Sequence, residues 1–299
     1  MAYRLKIKDR SVGHAVRRIA DEQIGKALVS IEELDADEAI HDVRKRCKKV
    51  RGLIRLVRPV FDDYRAENAA FRDAARNISG TRDAEVMQET YDLLMDEFAD
   101  QIERRAFGPI RQHFTLERKS RTEFGETDRK LEETRRFLLE AQQRAQEWEL
   151  SEDGWSAIQG GLRKTYKRAR DAASRARSSP NGEIFHELRK QIKYHWNHCR
   201  ILEPVWPDMM GLRNRAARHL SDILGQHHDL EVFANRLSAS SARFASQRDV
   251  EAAIGLARAH QERLEQTVWP KLDRLLAQSP ATTGEHLEAL WFVWKHDRP

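Results

Sequence analysis

The chain writes one pattern twice. The stretch "HDVRKRCKKVRGLIRLVRP", from His41 to Pro59, returns as "HELRKQIKYHWNHCRILEP", from His186 to Pro204, a lag of 145 residues. His41, Arg44, Lys45, Lys48, Arg55 and Pro59 fall on His186, Arg189, Lys190, Lys193, Arg200 and Pro204, and Gly80 falls on Gly225. One inserted residue then moves the lag to 146, after which Asp83, Glu85 and Val86 meet Asp229, Glu231 and Val232. Agreement over roughly 45 positions is the mark of an internal repeat, so whatever one half folds into, the other must fold into as well.

That common unit reads as helical. Apolar residues recur at helix spacing, strand-like alternation is scarce, and Gly and Pro number only 14 and 8 in 299 residues, which predicts an all-α chain. Helices are expected over 11–34, 37–58, 64–78, 81–106 and 120–148, then over 155–178, 183–203, 208–223, 227–245 and 247–277, with "HLEALWFVWKH" as a last helix. In each half the glycine of the repeat separates a third helix from a fourth. Pro59, Pro180, Pro204, Pro207, Pro270 and Pro280 fall at or near the breaks, where proline does least harm. The acidic, Gly-containing "EWELSEDGW" at 147–155 divides the chain into repeats over 1–150 and 151–299. Two similar helical bundles related by an approximate two-fold axis are the expected architecture.

The repeated helix sorts its side chains. With about 100° per residue and His41 at zero, Arg44, Lys45, Lys48, Arg51 and Arg55 fall within roughly −80° to +40°, and Val43, Cys47, Val50, Ile54 and Val57 within roughly 160° to 240°. The second copy places His186, Arg189, Lys190, Lys193, Asn197 and Arg200 on its polar arc and Leu188, Ile192, Cys199 and Leu202 on its apolar one. Any surface helix opposes a charged stripe to an apolar one, but a solvated stripe usually mixes signs, because like charges one turn apart repel. These arcs carry no acid, with Asp42 and Glu187 off their centres, and keep residue type at the same positions in both copies. A polyanion would offset the repulsion: Arg grips phosphate oxygens bidentately, Lys supplies a point charge, and His gains a proton beside phosphate. Arg163, Lys167 and Arg170, with Tyr166 beside them, and His14, Arg17 and Arg18 in the first half, are further cations that could join this surface. An exposed basic face explains them equally well.

Composition narrows the class. The formal charge of +5 is the small remainder of 53 basic and 48 acidic side chains, so distribution rather than total speaks to partners. No apolar run of about 18 residues is present, and "MAYRLKIKDRSVG" lacks the apolar core of a signal peptide, so a cytoplasmic protein is expected, with no membrane association. Cys47 and Cys199 stand alone on helices and read as buried free thiols.

The paired "IHDVRKRCKKVRGLIR" and "FHELRKQIKYHW", each followed by a Gly then Asp-x-Glu element in "SGTRDAEVM" and "LGQHHDLEVF", resemble the CHAD family, the conserved histidine α-helical domain. The resemblance covers nearly the whole chain. It implies an all-helical protein with two bundles around a basic central cleft or pore, binding inorganic polyphosphate and associated with polyphosphate granules and their proteins. It implies that His41, Arg44, Lys45, Lys48, Arg51 and Arg55 line the site from one half, and His186, Arg189, Lys190, Lys193 and Arg200 from the other. Trp196 stands where the first copy has Arg51 and where family members commonly have Arg, which predicts a weaker second half-site. His195, on the apolar arc where the first copy has Val50, reads as a satisfied core histidine.

Other classes fit less well. The "HHD" of His227 to Asp229 suggests a metal phosphohydrolase, but the first copy has Arg82 and Asp83 there, so the shared Asp reads as a helix-start cap. His195 and His198, three apart, have no third ligand at a telling spacing. No Walker-type loop or nucleophile elbow occurs, so neither a cofactor, a metal nor a catalytic residue is expected, and a non-catalytic binding module is the reading. Nucleic acid is the chief rival, against which the arc lacks interleaved aromatics, and an acidic protein partner is a third reading.

Overall fold

The computed structural model describes residues 3–79, 82–120, 126–244 and 246–296, with the backbone alone at 82–85, 118–120 and 242. All regular structure among them is helical. The first half holds α1 (Val12–Glu33), α2 (Ala36–Leu56), α3 (Tyr64–Asn77), α4 (Arg82–Glu97), α5 (Gly108–Ser120) and α6 (Glu126–Gln146). The second holds α7 (Gly154–Ser178), α8 (Gly182–Ile201), α9 (Pro207–Ala239), α10 (Gln247–Leu275) and α11 (Pro280–His296). Side chains cap several starts: Ser11 accepts from the His14 N–H, Asp35 from Glu38, Asn181 from Ile184 and Ser246 from Asp249. Pro207 and Pro280 open their helices, where a missing N–H costs nothing.

Three departures from the expected elements are informative. Gly225 does not end a helix, because α9 runs through it for 33 residues. A glycine inside a helix costs only about 1 kcal/mol, and the stripe of Leu220, Leu224, Leu230 and Phe233, each 1% exposed or less, continues across it into the core. Asp229 therefore sits mid-helix, not at the start of its own helix. Its counterparts are not open to the same comparison: Gly80 and the side chains of Asp83 and Glu85 lie outside the described residues. Pro270 is inside α10 rather than at its end. The fourth helix stops at Glu97, and the chain turns through 98–103 into a 3-10 turn at Arg104–Phe107 before α5.

The apolar arcs read from the sequence are the buried ones. Val43, Cys47, Val50, Ile54 and Val57 on the α2 side and Leu188, Ile192, Cys199 and Leu202 on the α8 side are all 2% exposed or less, and both cysteines are free thiols. One core gathers α1, α2 and α6 with Trp155, Ile158 and Leu162 of α7 and Leu287 and Trp291 of α11, so burial runs across the boundary near residue 150. A second joins α4, α5, α9 and α10, and a third α7, α8, α9 and α10.

Two glycines let α2 sit this close to α7 and α8. A Cβ on Gly161 would stand 1.9 Å from the Leu56 carbonyl oxygen, and one on Gly52 would stand 2.8 Å from Asn197 Nδ2 and 3.0 Å from the Tyr3 hydroxyl. At the α2–α8 crossing His198 Nε2 donates to the Gly52 carbonyl at 3.1 Å, Tyr3 Oη donates to the Lys49 carbonyl at 2.8 Å, and the Leu5 N–H donates to the Ile201 carbonyl at 3.0 Å. The N-terminal segment thus straps the two helices together.

Gly161→Ala should lower stability by at least the ~1–3 kcal/mol typical of overpacking, since backbone rather than a pliable side chain must move. Gly255→Ala, in α10 with nothing within 4 Å of the new methyl, should raise it by up to about 1 kcal/mol. Denaturant midpoints of the two variants check both signs.

Candidate functional site

The polar arc of α2 faces a cleft of about 870 Å³. His41, Arg44, Lys45 and Lys48 of α2 reach it from one side and Arg189, Lys193, Trp196, Asn197 and Arg200 of α8 from the other. Helix α9 closes it with Asn214, Arg218, Asp222, His228, Asp229 and Val232, while α1 adds Lys26, α4 adds Met87, and the N-terminal segment adds Tyr3 and Arg4. Eleven Lys and Arg side chains line it against three carboxylates, those of Glu203, Asp222 and Asp229, so its own acids cannot balance its cations.

The crowding shows in protonation. Lys48 keeps contact with solvent, yet packed protein strips part of its hydration, and Lys193, Arg44, Arg189 and Arg51 surround it; together these push its ammonium down to about 7. Lys49 is likewise pushed to about 7, by burial first and then by Arg46, Arg200 and Lys45. Burial also lowers His228 to about 4, helped by Arg189 and His186, and lowers His186, whose ring lies 4.5 Å from that of His228. Two positions are cushioned: Lys45 pairs with Asp42 at 2.9 Å, and Lys190 pairs with Glu187. Burial pushes the Asp42 carboxyl up, but Arg46, Lys45 and Ser30 overcome it and hold it at about 2. The arc is therefore less free of acid than its helical projection implies, because residues three apart share a face even when the earlier one lies off its centre.

The remaining sequence candidates fall outside the cleft lining. Arg51 and Arg55 of α2 both donate to Asn68 Oδ1 of α3, at 3.3 and 3.1 Å, and the Arg55 guanidinium lies 4.1 Å from the Tyr194 ring centroid. The His186 ring lies 4.5 Å from that of the lining residue His228, and Lys190 is held by Glu187. Arg18 is locked onto Asp9 at 2.7 Å and Glu22 at 3.4 Å, with His14 Nδ1 3.6 Å from Asp9. On α7, Lys167 pairs with Asp171 at 2.9 Å, Arg163 approaches Glu285 at 4.0 Å, and Arg170 donates to the Gln278 carbonyl.

The histidines suspected of metal binding point apart. His227 stacks on Phe185 at 4.3 Å and meets Glu265 at 3.0 Å, whereas its neighbour His228 faces the cleft. His195 is buried as expected but only partly satisfied: Nε2 lies 3.6 Å from Cys199 Sγ while Nδ1 has no partner, and burial holds the ring neutral.

Sequence reasoning missed Arg4, Lys26, Arg46, Lys49 and Arg218. Arg46 and Lys49 lie off the arc of α2 and enter because the cleft wraps around the helix toward the N-terminal strap; the other three sit on ordinary-looking surface stretches. Trp196, read as a lost phosphate contact, lines the cleft where Arg51 does not. Its Nε1 donates to Asn214 at 2.8 Å and the Arg200 guanidinium lies 5.3 Å from its ring.

Lys48 should titrate near pH 7 by side-chain carbon NMR, and Lys193→Ala should raise its midpoint; a midpoint above 10 in the unaltered chain would contradict this electrostatic account. The sign for stability follows: between about 7 and the ordinary 10.5 the unfolded chain holds a proton that folded Lys48 has released, so this residue adds stability as pH rises through that window.

Comparison with known proteins bears on this arrangement. No curated protein matches the sequence. Among solved structures, the crystal structure of the CHAD domain from the plant Ricinus communis superposes with a TM-score of 0.62 at 16% identity, covering 91% of this chain and 94% of that one. The CHAD domain family model matches residues 18–238, a span that holds both copies of the histidine helix and most of the cleft wall. The chain belongs to the CHAD domain family.

Proposed function

We propose that the cleft is a basic groove that binds inorganic polyphosphate without catalysing its cleavage. The observation that carries this reading is the convergence of two cationic helices on one space, where Lys48 of α2, its proton affinity lowered first by desolvation, also feels Lys193 and Arg189 of α8. A linear polyanion supplies phosphates at many points along such a groove and relieves the repulsion at each.

The crossing also supports the two-fold relation expected from the repeat. Gly52 meets Asn197, and Lys48 feels Lys193, and each pair joins positions 145 residues apart. Contact between equivalent positions is what an isologous interface produces. Nucleic acid is less favoured because the one aromatic contributed by the two facing helices to the lining, Trp196, already has its N–H held by Asn214 and the Arg200 guanidinium near its ring.

Six to eight phosphate contacts should give a slope of log affinity against log salt of roughly −4 to −6, taking about −0.7 per contact for a single-stranded polyanion. Long-chain polyphosphate should outcompete DNA and RNA of equal charge in calorimetry. Replacing His41, Arg44, Lys48, Arg189 and Lys193 together by Ala should cost on the order of a thousandfold in affinity with helicity retained. Preference for nucleic acid, or undiminished binding by the five-site variant, would falsify the reading. Because anion capture favours the charged amine, binding near pH 7 to 8 should take up protons and weaken as pH rises; calorimetry in buffers of different ionisation heat reads that uptake.

A further inference from the structure

A second concentration of positive charge stands where α2 ends. Arg58, just beyond that helix, is only 9% exposed. Its Nη2 reaches neutral oxygens alone, the Thr165 hydroxyl at 3.3 Å and the Gly161 carbonyl at 3.5 Å, and its buried Nε has no partner. Tyr64 of α3 also approaches it as a neutral partner; Arg168 and Lys164 of α7 share its surroundings, and Arg65 of α3 neighbours Lys164, these three all exposed and, like Arg58, in no ion pair among the described residues. Burial and then Arg168 lower Arg58 to about 10, and Lys164 is lowered chiefly by Arg58.

The fold alone does not balance this cluster. The C-terminus of α2 presents about half a negative charge, enough to ease one cation but not four. A buried guanidinium is ordinarily paired with an acid, and none pairs with Arg58 among the described residues. The position is also fixed, since the close passage of Gly161 beneath Leu56 holds α7 against the end of α2.

We propose that Arg58, Arg168, Lys164 and Arg65 form a second anion site that takes one compact phosphate group, either free orthophosphate or the end of a phosphate chain. Arg58 is its floor, offering a planar fork, and the exposed cations close over the remaining oxygens. None of the four lines the cleft, so the site stands whether or not the groove binds polyphosphate. Arg58 follows α2, whose Lys48 lines the cleft ten residues earlier in the chain, so the test must separate a chain end reaching from the cleft from free phosphate.

The test titrates sodium orthophosphate, and separately long-chain polyphosphate, into the full chain at constant ionic strength, following the Arg58 Nε–H NMR resonance. A saturable shift is expected, weakened at least tenfold in the Lys164→Ala/Arg168→Ala variant, whose two substitutions touch only exposed side chains. If Lys48→Ala/Arg189→Ala keeps the orthophosphate response, the ligand is free phosphate. If only polyphosphate responds and that variant loses it, the ligand is a chain end delivered from the cleft. A shift reproduced by sodium chloride, a response unchanged in Lys164→Ala/Arg168→Ala, or no response to either probe overturns the site.

Discussion

The approach of α7 and α8 to α2 is the constraint on which the rest of the molecule depends. Two glycines set it, Gly161 against the Leu56 carbonyl and Gly52 against Asn197 and Tyr3. A side chain at Gly161 would force α7 off the Leu56 backbone, whereas one at Gly52 would displace the Asn197 and Tyr3 side chains beside the hydrogen bond from His198 to the Gly52 carbonyl. Packing of neutral atoms thus dictates where charge must gather.

The electrostatic state of the cleft follows from that geometry. Lys48 and Lys49 lie on a helix whose opposite face is buried to within 2% exposure, so α2 cannot roll its cations away from those of α8 without exposing Val43, Val50 and Ile54. Hydrophobic burial worth roughly 1.5–3 kcal/mol per large side chain outweighs repulsion between partly hydrated charges. Burial first, and neighbouring cations second, depress the proton affinity of Lys48, Lys49, His186 and His228.

The helical fold and both buried arcs were legible in the sequence because periodicity and burial are local to one helix. Which cations share a cleft was legible only in part. His41, Arg44, Lys48, Arg189 and Lys193 followed from the repeat, but Arg51 and Arg55 follow the same period and end on Asn68 of α3, with Arg55 also over the Tyr194 ring of α8, because α3 covers the last turns of that face. A helical projection has no knowledge of where along its length a neighbour passes. The break expected at Gly225 failed for a related reason: one glycine is a weak local signal, overridden by an apolar stripe continuing on both sides of it.

The unbroken α9 gives the molecule a spar. Its 33 residues span about 50 Å, bearing Asn214 and Arg218 near one end of the cleft and His228 and Asp229 farther along, before Phe233 and Leu237 anchor it among α4, α5 and α10. Because Ala217, Leu220 and Leu224 also bury it against α7, α8 and α10, one continuous rod joins the cleft wall to the packing of α4 and α5.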